Sequence, residues 1–327
     1  MRLPRRRLAV YCVAFLFAIV MNFAVPRLMP GSPVDSMIAQ LGPRATPAAI
    51  EAIKARFGAI EQPMWQQFVD YIVGLAHFDL GVSVKYYPQT VLEVLGRSAG
   101  WTAFLVVTAI VFSLSIGVSL GALAAWRRGG RFDSFVSPFS VVMIAVPPVI
   151  IALATLFIFG VTLRLLPVGY AYDPSLDPGF NFTYFGSVFL HAIMPVLTLS
   201  PYLIGEFQTT MRSSMISVLG EDYVTMGRAK GLSESAVMFG YAARNAMLPV
   251  LTNLALMLGA VFGGSIVTEI VFNYPGLGLT LYTASVARDY PVIQGQLLLM
   301  TMATLGANLL VDILYGVVDP RIREGRA

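Results

Sequence analysis

Six long apolar runs most restrict the fold of this sequence. Each is close to or above the roughly 20 residues with which an α-helix crosses the hydrocarbon core of a bilayer. Because lipid offers no hydrogen bonds to the backbone, apolar runs of this length cross it as helices. The runs are approximately 8–25, 101–126, 135–163, 184–208, 246–271 and 292–318. They predict an all-α integral membrane protein with six transmembrane helices.

The composition agrees with a lipid environment. Hydrophobic residues make up 57% of the 327 residues and charged residues only 12%, whereas a soluble domain averages about 25% charged residues. The Lys and Arg residues lie in small clusters between the apolar runs. A nucleic-acid-binding protein would gather them on one face, so nucleic acid is not expected as a partner, whereas membrane lipid is. The single cysteine, Cys12, excludes an internal disulfide.

The distribution of arginine predicts the orientation. Six spans place both termini on one side of the membrane, and cytoplasmic loops carry an excess of Lys and Arg. The basic clusters on that side are residues 2–7, 127–131, Arg212 with the loop after it, and the tail from Arg321. We therefore expect both termini in the cytoplasm. The first apolar run exceeds the about 7–15 residues of a signal-peptide core, so we interpret it as a retained span.

These assignments divide the chain into four parts. Residues 1–28 are the cytoplasmic N-terminus and first span, and residues 29–98 are an external segment with short amphipathic helices after Thr46 and Pro63. Residues 99–318 are the transmembrane core of spans two to six, with a cytoplasmic loop at 212–247. Residues 319–327 are a cytoplasmic tail. Pro147 and Pro148 fall inside the third run and are expected to kink or break its helix.

A polar stretch between the fourth and fifth runs, Glu221–Pro249, has a helix, glycine, helix pattern. Asp222 is suited to cap a first short helix, and Gly231 is suited to end it. Ser233 with Glu234 is suited to begin a second helix. A structured loop at a membrane face predicts a surface to which another protein binds.

Catalytic signatures are missing from the sequence. None of the three lysines, Lys54, Lys85 and Lys230, completes a phosphate-binding loop of the form G-x-x-x-x-G-K-[ST], so the chain is not itself a P-loop ATPase. Ionisable residues within the runs, such as Glu206 and Glu269, lie near span ends. That placement favours contacts between helices over a proton relay. A secondary carrier and a membrane scaffold that carries no solute remain as alternatives.

Several segments lie in a fixed order along nearly the whole chain. They are MPGSPVD (29–35), FDLGVSV (78–84), RRGGRFD (127–133), EDYVTMGRAKGLS (221–233) with ARN (243–245), VFNYPGLG (271–278), RDYPVIQG (288–295) and VDPRIR (318–323). Together they resemble the dipeptide/oligopeptide/nickel permease family of ABC importers, and specifically its B-type membrane subunit. One departure is Gly240-Tyr241 before AARN, where relatives commonly have a basic residue and histidine before ALRN.

The resemblance implies a six-span subunit with the type I ABC importer fold. Such a subunit forms half of a translocation path in the bacterial inner membrane. Its expected partners are a homologous second permease subunit, two cytoplasmic ATP-binding subunits and an extracytoplasmic solute-binding protein. No cofactor is expected in this chain, since ATP and Mg²⁺ belong to the ATPase partners. The subunit is therefore expected not to be an enzyme.

The resemblance also gives the polar loop a role. In such importers the short helix before the glycine is a coupling helix seated in a cleft of the ATPase. The coupling residues implied in this sequence are Glu221, Asp222, Tyr223, Met226, Arg228, Ala229, Lys230, Gly231 and Leu232. Arg228 and Lys230 are candidates to pair with acids of the ATPase, and Tyr223 and Met226 to fill an apolar notch.

The solute is less constrained by the sequence. Members of the family import di- and oligopeptides, nickel chelates and, in some branches, oligosaccharides. The aromatic-rich segment 177–195 somewhat resembles the oligosaccharide branch, and an interfacial aromatic belt, which any membrane protein can have, is the alternative explanation. Oligopeptides are the preferred expectation, with oligosaccharides and nickel chelates left open.

Overall fold

The computed structural model of the chain describes residues 5–28, 62–260 and 265–318, together with Ile38, 46–48, Ile50 and Glu51. Regular structure in these residues is almost entirely helical. The helices are α1 Arg5–Leu28, α2 Met64–Ala76, α3 Val91–Trp126, α4 Arg131–Ala145, α5 Pro148–Thr155, α6 Phe182–Leu219, α7 Asp222–Ala229, α8 Glu234–Ala236, α9 Arg244–Ala260, α10 Ile266–Val271, α11 Leu277–Ala287 and α12 Tyr290–Val318. Two π-helical segments, Leu156–Thr162 and Val237–Ala243, extend α5 and join α8 to α9.

The chain forms two compact units. Unit 1 comprises residues 1–102, 262–266 and 275–309, and unit 2 comprises 103–261, 267–274 and 310–327. The core of unit 1 gathers Val91 and Leu95 of α3 with Leu277 of α11 and Val292 of α12. The core of unit 2 gathers residues of α3, α6 and α9, among them Ile110, Phe207, Met211, Met215 and Val250.

Four of the predicted spans are single helices long and apolar enough to cross a membrane: α1, α3, α6 and α12. The third predicted span is broken as expected, since α4 and the α5 segment up to Thr162 meet at 93°. The break falls at Val146 and Pro147, where the backbone is extended and Pro148 then starts α5. The fifth predicted span coincides with α9 and α10, and residues 261–264 between them lie outside the described residues.

Several helices begin earlier or end later than the apolar runs. Helix α3 starts at Val91 because Thr90 and Glu93 form a capping box: Thr90 N donates to Glu93 Oε2 over 2.9 Å, and Glu93 N to Thr90 Oγ1 over 3.3 Å. Asn181 Oδ1 accepts from Tyr184 N over 2.7 Å and starts α6. Polar caps therefore set these boundaries, whereas the apolar runs locate only the middle of each helix.

The predicted external segment is described in part. The second amphipathic helix after Pro63 is α2, and it runs to Ala76 as the pattern indicated. The first amphipathic helix after Thr46, the MPGSPVD segment and the predicted cytoplasmic tail at 319–327 lie mostly or wholly outside the described residues.

Two glycines of α3 let it lie directly on α6 within unit 2. A Cβ added at Gly117 would lie 2.7 Å from Phe207 Cβ, and one added at Gly121 would lie 2.5 Å from Gln208 O. The glycines are four residues apart and so share one helix face. Small residues at this spacing allow close backbone contact, which is the main source of helix association in lipid.

Replacing Gly121 with alanine tests this crossing. The new methyl group would meet backbone atoms of α6, so Gly121→Ala is expected to lower the free energy of unfolding by about 1–3 kcal/mol. Gly100→Ala is the matched control in the same helix, because nothing lies within 4 Å of the Cβ position there. The control is expected to be neutral or stabilising by up to about 1 kcal/mol. Equal thermal unfolding of both variants in detergent would contradict the close crossing.

Candidate functional site

The polar loop leaves the membrane-spanning helix α6 through a tight turn. Glu221 N donates to Val218 O over 3.0 Å. Glu221 itself has extended backbone, with φ −79° and ψ 147°, and is the N-cap residue of α7. The expectation that Asp222 caps this helix is wrong by one position, since the extended residue that closes the turn is Glu221. Asp222 lies in the first turn of α7, where its carboxylate faces the positive end of the helix dipole.

Gly231 ends α7, as predicted. Its φ is +75°, in the left-handed region that glycine adopts at little cost. Gly231 N donates to Arg228 O over 2.9 Å, and Leu232 N donates to Gly227 O over 3.4 Å. These two bonds form a Schellman motif, which satisfies carbonyls at the helix end. The backbone therefore fixes the direction in which the chain leaves α7.

Ser233 begins the second helix, as predicted. Ser233 Oγ accepts from Ala236 N over 3.4 Å, and the helix starts at Glu234. The chain then winds through Val237–Ala243 into α9. Val237 and Ala242 are fully buried, so this return path is anchored in the core of unit 2.

One face of α7 packs against the rest of the loop. Val224 and Gly227 are its buried residues. A Cβ added at Gly227 would lie 3.7 Å from the ring of Tyr241, so the glycine lets the aromatic ring cover this part of α7. Because the helix is held from this side, its opposite surface is presented in a defined orientation.

The residues implied to couple to an ATPase lie outside this buried face. All nine are exposed: Glu221, Asp222, Tyr223, Met226, Arg228, Ala229, Lys230, Gly231 and Leu232. Met226, the most exposed of the large apolar side chains among them, is 58% exposed. An exposed methionine with flanking apolar and charged side chains is suited to contact with another protein.

Arg228 has a partner within the chain that sequence reasoning missed. Its guanidinium carbon lies 5.3 Å from the centroid of the Trp126 ring, within the range of a cation–π interaction. Trp126 is the last residue of α3. The contact therefore ties the short helix of the loop to the end of a membrane span.

An ion pair at the base of the loop was also missed. Arg212 Nε donates to Asp133 Oδ1 over 2.6 Å, and Arg212 Nη2 donates to Asp133 Oδ2 over 2.9 Å. The buried Asp133 also accepts from Gly129 N and Ser137 Oγ. A bidentate pair fixes orientation as well as distance. It joins the RRGGRFD segment to α6 two turns before α6 ends. The sequence signal that could have indicated this pair is Asp133 itself, the one acidic residue of the RRGGRFD segment.

Segments of the resemblance also meet within unit 1. Ser83 Oγ and Lys85 N donate to Asp289 Oδ2 over 2.5 Å and 2.9 Å. Val292 N donates to Asp289 Oδ1 over 3.3 Å at the start of α12. Asp289 is fully buried, so these donors replace the water that a carboxylate otherwise needs. Sequence reasoning identified both segments and missed their contact, since Ser83 and Asp289 are 206 residues apart.

A second contact joins the PGLG part of VFNYPGLG to its neighbours in unit 1. Leu277 N donates to Thr102 Oγ1 over 2.7 Å, and Leu277 O accepts from Gln296 Nε2 over 2.7 Å. Both side chains are buried. The start of α11 is therefore held by polar side chains of α3 and α12.

The described residues thus form apolar helices long enough to cross a membrane, and a short, exposed helix follows the end of one of them. The chain belongs to the family of binding-protein-dependent transport system inner membrane components, whose model matches residues 117–324. The predicted membership of the ABC importer permeases and the type I importer fold are thereby confirmed.

Relatives match over almost the whole chain. The dipeptide transport system permease protein DppB of Escherichia coli K12 is 36% identical over 335 residues, which cover 98% of each chain. The di/tripeptide transport system permease protein DppB of Pseudomonas aeruginosa UCBPP-PA14 is 34% identical over 334 residues, again 98% of each chain. The dipeptide transport system permease protein DppB of Alkalihalophilus pseudofirmus is 32% identical over 333 residues, 97% of this chain and 98% of its own.

Proposed function

We propose that this permease subunit carries short peptides. The observation that carries the proposal is the match, along 97–98% of this chain, to permeases that are named for dipeptide or di/tripeptide transport. A match over the full length includes the spans that line a path and the segments between them, in addition to the shared docking loop. The subunit would form half of the path, with a homologous second permease subunit forming the other half.

The polar loop, Glu221–Pro249, is proposed to receive the force that drives transport. The nine exposed residues from Glu221 to Leu232 would seat in a cleft of a cytoplasmic ATPase subunit. Met226 and Tyr223 would provide apolar contact, and Lys230 would pair with an acid of the partner. Arg228 would act mainly inside the chain, because its guanidinium lies over Trp126. ATP and Mg²⁺ would be held by the two ATPase subunits, and this chain would have no catalytic role.

Three contacts support transmission from the loop to the spans. The short helix α7 touches the end of α3 through Arg228 and Trp126. Its buried face packs on the segment that leads into α9. The Asp133 and Arg212 pair joins the start of α4 to α6. Movement of α7 would therefore reach four spans without passing through a flexible linker.

The proposed orientation places the loop and both termini in the cytoplasm of a bacterial cell, and the solute-binding protein on the opposite side. The arginine distribution supports it. A chain with Cys12→Ala and Ser235→Cys, an exposed position of the polar loop outside the nine coupling residues, is expected to react with a membrane-impermeant thiol reagent only after the membrane is opened. The matched variant Phe180→Cys, also in a Cys12→Ala chain and at a fully exposed position, is expected to react in cells whose inner membrane is intact. The reverse pattern would overturn the orientation.

The solute is tested by uptake into vesicles that contain the complete importer. Labelled di- and tripeptides are expected to accumulate when ATP is present, and unlabelled peptides are expected to compete. An oligosaccharide path is the second candidate, favoured by the fully exposed Phe180 and Phe182 near the start of α6, since aromatic rings stack on sugars. Competition by oligosaccharides and none by peptides would replace the first proposal with the second.

Replacing Gly231 with proline tests coupling. Proline fixes φ near about −65° and has no N–H, whereas Gly231 has φ +75° and donates to Arg228 O. Gly231→Pro is expected to leave the spans folded and the complex assembled, while the peptide imported per ATP hydrolysed falls severalfold. The measurement is the ratio of uptake to phosphate release in vesicles.

Gly231→Asn is the matched control. Apart from glycine, asparagine is the residue that most readily adopts the left-handed region at a helix end, and it keeps the N–H group. Nothing lies within 4 Å of the Cβ position, so the larger side chain has room. This variant is expected to retain most of the coupling. An unchanged ratio of peptide uptake to phosphate release in the Gly231→Pro importer would contradict the proposed role of the loop.

A further inference from the structure

Helix α2 in unit 1 has three distinct sides. One side packs on the end of α1: the Phe68 ring lies 5.0 Å from the Phe23 ring in an edge-to-face arrangement, and Tyr71 lies 5.8 Å from the same ring. A second side carries the polar residues Gln66 and Asp70, which lie about 40° apart at the helical repeat of 100° per residue.

The third side is apolar and exposed. We call it the outer face of α2, and it consists of Trp65, Val69, Ile72, Val73 and Ala76. Trp65 is 69% exposed, and Val69 and Val73 are about half exposed. These residues recur at spacings of three and four, so they form one continuous stripe. Of the three sides of α2, only the polar side is therefore suited to contact with water.

The contacts of Arg27 fix the depth of α2 relative to the span α1. Arg27 lies in the last turn of α1. Its Nε donates to Gln67 Oε1 over 2.8 Å, and its guanidinium lies 3.7 Å from the centre of the Phe23 ring. Arginines at span ends place their charge at the boundary between hydrocarbon and water. Because Arg27 binds α2 directly, α2 lies at the level of that boundary.

We propose that α2 is an interfacial helix, and that its outer face inserts into the lipid headgroup region beside α1. The occupant is lipid because the stripe lies at the end of a span that itself exposes apolar residues, such as Val13, Phe17 and Val20. An amphipathic helix in this position lies in the plane of the membrane with a tryptophan at headgroup depth. The polar side of α2 faces water.

Spin-label accessibility tests this arrangement in the assembled importer, reconstituted in nanodiscs of phosphatidylethanolamine and phosphatidylglycerol. In a Cys12→Ala chain, nitroxide is attached to single cysteines at neighbouring pairs of positions, Trp65→Cys with Gln66→Cys and Val69→Cys with Asp70→Cys. Collisions with oxygen, which concentrates in lipid, are compared with collisions with a water-soluble nickel chelate. Co-elution of each labelled variant with its partner subunits in size-exclusion chromatography serves as the check that the importer has assembled.

Labels at Trp65 and Val69 are expected to collide with oxygen severalfold more than with the nickel chelate, and labels at Gln66 and Asp70 to show the opposite ratio. High nickel accessibility at Trp65 and Val69 would overturn the proposal, because the outer face would then lie in water. Low accessibility to both reagents at these positions would also overturn it, since a protein partner would then cover the face. Two independent pairs keep the result interpretable if one variant fails to assemble.

Discussion

Close backbone contact between α3 and α6 is the interaction on which unit 2 depends. Lipid tails are as apolar as leucine, so helices in a membrane gain little from burying apolar side chains and associate through packing and polar contacts. Gly117 and Gly121 remove the side chains that would separate the two helices. Helix α6 is thereby held against α3 between Ile204 and Arg212, and the turn into α7 follows two turns later. The position of the loop follows from this crossing.

The loop itself is shaped mainly by its backbone. An extended Glu221 starts α7, a left-handed Gly231 ends it, and Ser233 caps the helix that returns to the membrane. The exposed side chains contribute little to this shape, so they are available for a partner. A loop built in this way keeps its form when its surface residues are exchanged, which suits the docking role proposed for it.

Buried aspartates organise each unit by the same physical means. Asp133 in unit 2 accepts bonds from a guanidinium, a hydroxyl and a backbone amide, and Asp289 in unit 1 accepts from a hydroxyl and two backbone amides. A buried carboxylate is costly unless its oxygens are satisfied. Each site therefore holds together segments that are distant in sequence. Removal of one donor would leave a buried carboxylate oxygen without a hydrogen bond and so destabilise the contact between those segments.

The sequence by itself determined the membrane class, the approximate middle of most spans, the break at Pro147 and Pro148, and the helix, glycine, helix form of the loop. These depend on local properties: apolar length, missing backbone donors, and the conformations open to glycine and serine. Only the tertiary structure decided that Arg228 lies over Trp126, that Asp133 binds Arg212, that Asp289 joins two remote segments, and that Gly117 and Gly121 face α6. Such contacts require knowing which helix faces meet, and the pattern along one chain does not encode the partner of an exposed or buried polar group.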